Sequence, residues 1–261
     1  NLSFSDAFFE SMSGLTTTGA TVMSQLDDLP KSILFYRQQL QWLGGMGIIV
    51  LAVAVLPLLG VGGMELYHAE SSGIAKDRLT PKLRNTAIAL WKIYLSLTVL
   101  CALGYFLSGM SIFDAVSHSF STVAIGGFST HDASIGYFNS ISIEMVAMLF
   151  MFLAGINFSL HFLAWNNKSV IDYIKDSEFK TYAMVLIVSS VIVIIALGLN
   201  SQYGSSIETI RHSLFQTISI ATTTGYTSQS FSTWPAAIPV FLIMMSFIGA
   251  CVGSTGGGIK V

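Results

Sequence analysis

The chain has 261 residues, of which 52% are hydrophobic and only 10% are charged, with a formal net charge of −2 at pH 7. An average soluble domain carries about 25% charged residues, so the composition excludes an ordinary soluble fold. The net charge says nothing about nucleic acid, but the sequence contains no basic cluster with interleaved aromatic residues, which disfavours a nucleic-acid-binding protein.

Four charge-free stretches divide the chain into candidate membrane crossings. A bilayer core about 30 Å thick requires about 20 apolar helical residues to cross it. We therefore expect each stretch to form one crossing. The stretches lie between Arg37 and Glu65, between Lys92 and Asp114, between Glu144 and Lys168, and between Lys180 and Glu208.

A fifth charge-free stretch, from His212 to Ile259, is too long for a single helix and contains Gly225, Pro235 and Pro239. We expect it to enter the membrane, turn and then cross, which requires the turning backbone to face protein or water. Four glycines within Gly253–Gly258 should break the crossing helix in mid-span, since each costs about 1 kcal/mol relative to alanine.

Three similar blocks recur along the chain, centred on residues 16–21, 123–128 and 222–227. A short half-helix precedes each block, and a polar loop and an apolar span follow it. Close packing through small residues would explain one such block, but three equivalent blocks favour a functional repeat. The expected half-helices are Asp6–Leu15, Asp114–Val123 and Glu208–Ala221, and a weak point of small residues is expected in each following helix, at 42–45, 152–155 and 247–250.

The repeating unit predicts an all-α integral membrane protein built from helix, pore half-helix with filter loop, and helix. Two connecting loops carry most of the basic residues and are therefore predicted to be cytoplasmic. The start without methionine and the end in mid-span predict a fragment. We expect repeats at residues 1–66, 85–166 and 181–261, with cytoplasmic loops at 67–84 and 167–180.

The repeated loops have the chemistry of a cation filter. A cation that crosses hydrocarbon must exchange its hydration shell for protein oxygens, and a ring of backbone carbonyls provides them. Glycine allows the required backbone turns, and a half-helix directs the negative end of its dipole at the loop. Physics alone leaves potassium and sodium both open. The predicted filter residues are Thr17, Thr18, Gly19, Ala124, Ile125, Gly126, Thr223, Thr224 and Gly225.

These blocks resemble the Trk/Ktr/HKT superfamily of potassium uptake proteins, close to its bacterial TrkH branch. The resemblance rests on Thr-Thr-Thr-Gly-Ala-Thr from residue 16, Val-Ala-Ile-Gly-Gly-Phe-Ser-Thr from 123, Ala-Thr-Thr-Thr-Gly-Tyr from 221 and Gly-Ser-Thr-Gly-Gly-Gly-Ile-Lys-Val from 253, and it covers essentially the whole chain. It implies four repeats around one central ion pore, of which this chain has three. It also implies selectivity for potassium, because sodium-permeable relatives often have serine where this chain has Gly19.

The resemblance further implies the surroundings of the pore. Potassium is the transported ion, bound at the filter residues only, and a mobile intramembrane loop obstructs the pore. The implied setting is the bacterial inner membrane and its lipids, and the implied partners are a second copy of the chain in a homodimer and a cytosolic nucleotide-binding regulatory ring. The implied gate residues are Gly253, Ser254, Thr255, Gly256, Gly257 and Gly258.

Several alternatives remain at the level of sequence. The chain could be a non-conducting structural or sensor subunit whose loops only pack, or a sodium-permeable relative. An enzyme is disfavoured because no nucleophile–base pair or metal cluster is apparent. The spacing of the glycines and the lysine at 253–260 does not match that of a phosphate-binding loop. Glu144, an acid at membrane depth, could serve a pore entrance or a structural hydrogen bond.

Overall fold

A computed structural model describes residues 3–50, 83–200 and 202–261, and these residues contain only helices and loops. The part of the first predicted crossing after Val50 and nearly all of the predicted cytoplasmic loop 67–84 lie outside the described residues. The described part contains ten α-helices and two short 3-10 helices, Leu26–Asp28 and Ser134–Phe138. The α-helices are α1 Phe4–Leu15, α2 Lys31–Val50, α3 Leu83–Leu107, α4 Ile112–Val123, α5 Ile141–Ala154, α6 Phe158–Asn167, α7 Ile171–Lys175, α8 Ser177–Leu199, α9 Ser206–Ala221 and α10 Ala237–Ile248.

The three predicted half-helices are confirmed as α1, α4 and α9, each beginning two residues before its expected start. In each, a serine before the first turn accepts a hydrogen bond from the backbone N–H of the acidic residue three positions on, at 3.1–3.2 Å. This cap satisfies an otherwise unpaired N–H and places a carboxylate at the positive end of the helix dipole. The pairs are Ser3 with Asp6, Ser111 with Asp114 and Ser205 with Glu208.

Two helices of the described residues, α3 and α8, are long and apolar enough to cross a membrane. Large apolar side chains such as Ile187, Val191 and Ile195 remain exposed along α8. Exposure of this extent is typical of a surface that faces lipid rather than water. Helix α8 packs on α9, and α3 packs on α4, so that each long helix supports a half-helix.

The sequence predicts one continuous helix between Glu144 and Lys168. The structure has two. These are α5 and α6, which meet at a bend of 93°. The break begins at Gly155, one of the predicted weak points, where an added Cβ would lie 2.1 Å from the Tyr182 hydroxyl oxygen. Helix α6 then starts at a new cap, because the Asn157 side chain accepts a hydrogen bond from the Ser159 N–H at 2.8 Å.

The weak point predicted in the first repeat is wrong, because α2 continues through Gly44 and Gly45. A Cβ on Gly44 would lie 1.9 Å from the Leu15 carbonyl oxygen, and one on Gly45 would lie 3.0 Å from Ala124. These glycines therefore serve close packing, which brings α2 against the ends of α1 and α4.

The last helix breaks at the weak point predicted at 247–250, earlier than the glycine run at 253–258. Helix α10 ends at Ile248, and Gly249 adopts a left-handed φ of 75°. Residues 249–261 then fold back along the helix end, where the Ile259 N–H donates to the Phe247 carbonyl at 2.8 Å. Only glycine fits this turn, because a Cβ on Gly249 would lie 2.1 Å from the Gly257 carbonyl oxygen.

The predicted cytoplasmic loop 167–180 also contains regular structure. It includes the short helix α7, and α8 begins at Ser177 rather than at the expected residue 181. Asp176 causes the early start, since its carboxylate accepts a hydrogen bond from the Phe179 N–H at 2.7 Å and caps the helix.

Candidate functional site

Each half-helix ends in the same strained turn. The first residue beyond the helix cap is left-handed in all three repeats: Thr17 at φ 55°, Ile125 at 54° and Thr223 at 68°. The N–H of this residue and the next N–H both bond back to helix carbonyls, which is the usual way to end a helix with glycine. A β-branched residue costs about 1–2 kcal/mol in this conformation. Its presence at three equivalent positions indicates that the surrounding structure, rather than the preference of the residue, imposes this backbone conformation.

A second left-handed residue follows two positions later in every loop. These residues are Gly19, Gly127 and Gly225, with φ between 75° and 83°. The structural equivalents of Thr17–Gly19 and Thr223–Gly225 are therefore residues 125–127. The expected segment in the second repeat, Ala124 to Gly126, is displaced by one residue.

The displacement has a simple cause. Ala124 retains helical angles as the cap of α4, so the loop begins after it. The sequence matched Gly126 with the glycines of the other repeats, whereas the backbone needs its left-handed glycine at Gly127. Of two adjacent glycines, only the structure distinguishes which one adopts the positive φ.

The three loops contact one another in chain order through very close backbone approaches. A Cβ added to Gly19 would lie 2.0 Å from the Gly126 carbonyl oxygen, and one added to Gly127 would lie 1.9 Å from the Thr224 carbonyl oxygen. Both approaches are possible only for glycine. The loops therefore form a continuous row in which a middle carbonyl of one loop packs against the glycine of the preceding loop.

A buried ion pair, which sequence analysis missed, connects the first and second loops. Arg37 of α2 donates to the Glu10 carboxylate of α1 at 2.8 Å. The same guanidinium donates to the Ser129 carbonyl at 3.3 Å and to the Thr21 hydroxyl at 3.1 Å. The only signal in the sequence was a group of polar side chains on one face of an apolar helix, Arg37, Gln38 and Gln41.

A second buried pair connects α5 to the third half-helix. Glu144 is almost fully buried, and its two oxygens accept from Arg211 Nε at 2.7 Å and Nη2 at 2.8 Å. Paired geometry of this kind satisfies a carboxylate that would be costly to bury alone. Of the two roles that the sequence left open for Glu144, this ion pair corresponds to the structural one.

His131 connects the segment that follows the first loop, at Asp27, with the second repeat. Its ring stacks on Tyr137 with the ring centres 3.5 Å apart, its Nδ1 contacts the Asp27 carboxylate, and its Nε2 lies 3.5 Å from Asp114 Oδ1. Burial alone would lower the pKa of His131, but the two carboxylates outweigh it and raise that pKa. The hydrogen bond from His131 lowers the pKa of Asp27.

The glycine-rich segment lies against the beginnings of the second and third loops. The Thr255 hydroxyl donates to the Val123 carbonyl at 2.9 Å, just before the second loop. The Gly257 N–H donates to the Thr223 hydroxyl at 2.8 Å. A strained residue of the third loop thus contacts the predicted gate directly.

The same segment is seated in the break between α5 and α6. The Cys251 N–H donates to the Gly155 carbonyl at 2.9 Å, and the Phe158 N–H donates to the Gly253 carbonyl at 3.0 Å. The Glu178 carboxylate of α8 accepts from the Val252 N–H at 2.5 Å. The backbone N–H and carbonyl groups that the two helix breaks leave unpaired therefore form hydrogen bonds with each other.

Comparisons with known proteins agree with this arrangement. The sequence profile of TrkH, described as a cation transport protein, matches residues 1–261. The Trk system potassium uptake protein TrkH of Halomonas elongata is 56% identical over 261 residues, and that of Vibrio parahaemolyticus is 54% identical over 264 residues. Each alignment covers 100% of this chain and 54% of the relative, so the chain spans about half the length of these relatives.

A solved structure is also similar. The crystal structure of the potassium transporter TrkH from Vibrio parahaemolyticus superimposes with a TM-score of 0.89 at 52% identity, covering 100% of this chain and 53% of that one. At this identity the shared fold is that of an integral membrane protein, and the match of the family profile extends over the whole chain. This chain belongs to the TrkH family of cation transport proteins.

Proposed function

We propose that this chain forms part of a selective potassium pore in a membrane, with its three loops as part of the ion filter. The observation that carries the proposal is the strained turn shared by the three half-helix ends, followed in each loop by a left-handed glycine. Two of these glycines contact a carbonyl of the next loop. Repeated strain of this kind is expected where the backbone itself performs the function.

The chemistry of the loops supports a monovalent cation as the transported species. Residues 16–19, 124–127 and 222–225 carry no charged side chain, so a passing ion would meet backbone carbonyls and threonine hydroxyls. The half-helices direct the negative ends of their dipoles to the loops, which disfavours anions. Potassium is favoured over sodium because the similar proteins are named potassium uptake proteins.

We place the ion site along residues 17–19, 125–127 and 223–225. The carbonyl of Gly126 already accepts a hydrogen bond from the Gln41 amide at 2.7 Å and packs on Gly19. In this proposal, therefore, Gly126 contributes mainly to contact between loops. Ala124, the helix cap, belongs to the support of the site rather than to its lining.

We further propose that residues 253–258 act as the gate. Their bonds to the Val123 carbonyl and the Thr223 hydroxyl hold them against the filter loops, and glycine leaves few side chains to fix one backbone arrangement. A gate needs two arrangements of similar energy, which such a segment provides.

The wider organisation is also a proposal. It comprises the repeats 1–66, 85–166 and 181–261, cytoplasmic loops at 67–84 and 167–180, and residence in a bacterial inner membrane. The word system in the relatives' names favours a protein with further components, which we propose to be a second copy of the chain and a cytosolic nucleotide-binding ring. The chemistry is transport and not enzymatic conversion.

The test is ion flux through the complete protein reconstituted in liposomes. We expect potassium flux well above that of empty liposomes and a reversal potential close to that of potassium in a potassium–sodium gradient. No flux of either ion under any condition would support a non-conducting structural or sensor subunit. Equal flux of both ions would instead support a sodium-permeable relative.

A further inference from the structure

We propose that Gln41, a residue of the first repeat, is a selectivity-determining residue that positions the filter loop of the second repeat. The inference rests on the proposed function. Gln41 touches no ion in this account, and it acts through the backbone of residues 126–128.

The second loop lacks an internal hydrogen bond that the other two loops possess. In the first and third repeats, a half-helix serine donates to the carbonyl seven residues on: Ser13 to Ala20 at 2.5 Å and Ser219 to Tyr226 at 2.7 Å. This bond closes each loop on its own half-helix. The equivalent serine of the second repeat, Ser121, donates instead to Gln41 Oε1 at 2.6 Å.

Two amides of α2 replace the missing closure from outside the repeat. Gln38 Nε2 donates to the Phe128 carbonyl at 3.0 Å, and Gln41 makes the other bonds. Its Oε1 also accepts from the Phe128 N–H at 3.1 Å, and its Nε2 donates to the Gly126 carbonyl at 2.7 Å. The side chain is fully buried. The Gln41 amide therefore bonds to the backbone on both sides of Gly127, the left-handed glycine of the loop.

The contact extends to the first loop through the Gly126 carbonyl. That oxygen is held by Gln41 on one side and packs against Gly19 on the other. A Cβ on Gly126 would lie 2.4 Å from Gln41 Cδ, so the amide and the loop backbone are in direct contact. Displacing the amide would therefore alter the second loop and the surface against which the first loop rests.

Removing the amide would take a hydrogen-bond partner from three buried polar groups. The Ser121 hydroxyl, the Phe128 N–H and the Gly126 carbonyl would each have to find another bond, because unsatisfied buried groups are costly. The least costly response is movement of the loop itself. Since selectivity depends on the positions of the loop carbonyls, the preference for potassium should fall.

The experiment compares the potassium-to-sodium permeability ratio of the complete protein with that of Gln41→Met, which keeps the side-chain volume and removes the amide. We expect the ratio to fall by at least about threefold. Ser121→Ala removes one of the three bonds and should give a smaller fall in the same direction. The matched control is Thr98→Val, which removes a buried bond to the neighbouring α2 residue Trp42 and should leave the ratio unchanged.

The permeability ratio separates positioning from folding, because a merely structural role would reduce the amount of protein and leave the ratio intact. If the parent protein is selective and Gln41→Met has the same permeability ratio, the inference about Gln41 is overturned and the proposed function is not. If Gln41→Met does not fold, an unchanged ratio in Ser121→Ala overturns it. A parent without potassium selectivity would overturn the proposed function as well.

Discussion

Substitution of Gly19 by serine should impair selectivity through a measurable displacement of the second loop. Gly19 has φ 75°, where a residue with a Cβ costs about 1–2 kcal/mol. The new Cβ would lie 2.0 Å from the Gly126 carbonyl oxygen. An ordinary contact between carbon and oxygen is about 3.3 Å, so that carbonyl must move by about 1 Å. We expect the potassium-to-sodium permeability ratio to fall by about tenfold, which equals about 1.4 kcal/mol.

The assay is the reversal potential of the complete protein in planar bilayers under opposed potassium and sodium. Gly109→Ser is the control for backbone strain, because Gly109 has φ 104° and, among the described residues, only its own chain neighbours come within 4 Å of its added Cβ. It should lower stability and leave the ratio unchanged. An unchanged ratio in Gly19→Ser, or an equal fall in both variants, would refute the reasoning from contact between loops.

Three further outcomes are expected. Deletion of Gly253–Gly258 should raise potassium flux without changing the permeability ratio, because this segment contacts the filter loops but contributes no oxygen to the proposed ion site. Glu144→Gln should lower the free energy of unfolding by about 3 kcal/mol, since it leaves the Arg211 charge without its buried partner. The contact between His131 and Asp27 should stabilise the protein fully below the ordinary histidine pKa of 6.5, and this stabilisation should be lost as the pH rises through the raised pKa of His131. The lowered pKa of Asp27 means that its own contribution is present above 3.8 and is lost as the pH falls through the lowered value.

Each outcome has its own control. Flux must be compared at equal membrane expression, and unchanged or lower flux in folded protein would leave the glycines as a packing feature. The double variant Glu144→Gln with Arg211→Gln should lose less stability than the sum of the two single variants, and additive losses would contradict the ion pair. The melting temperature of His131→Gln should lack the fall seen in the parent above pH 6.5, and parallel profiles would contradict the histidine contact.

The half-helices and their repetition could be predicted from sequence because their signals are local. The acidic residue in the first turn, the apolar run and the polar loop recur within each repeat, so α1, α4 and α9 were expected within two residues. The assignment of the chain to its family is confirmed by the match over residues 1–261. The filter and gate roles of the loops stay predictions.

The register of the second loop could not be predicted because Gly126 and Gly127 are adjacent and identical in type. The choice depends on where α4 ends, and that end is set by contacts with α2 that are distant in sequence. The small residues after Leu43, Leu153 and Ile248 posed a similar problem. Glycine permits both a helix break and a close approach, and only the neighbouring backbone decides between them.

The supporting side chains were missed for a related reason. Gln41 and Gly126 are separated by 85 residues, and Arg211 and Glu144 by 67. Periodicity within one helix indicates which face is polar but not which carbonyl or carboxylate that face meets. Arg37, Gln38 and Gln41 were visible as polar residues in an apolar span, and their targets required the fold.

The most direct test of the central claim is to locate the ion. Crystals of the complete protein grown in rubidium, a heavier substitute for potassium, would show the ion by its anomalous scattering. The account predicts a peak bounded by carbonyl oxygens of residues 17–19, 125–127 and 223–225, without that of Gly126, which is bonded to Gln41. A peak found only away from these loops, in protein that conducts potassium, would contradict the claim that they form the filter.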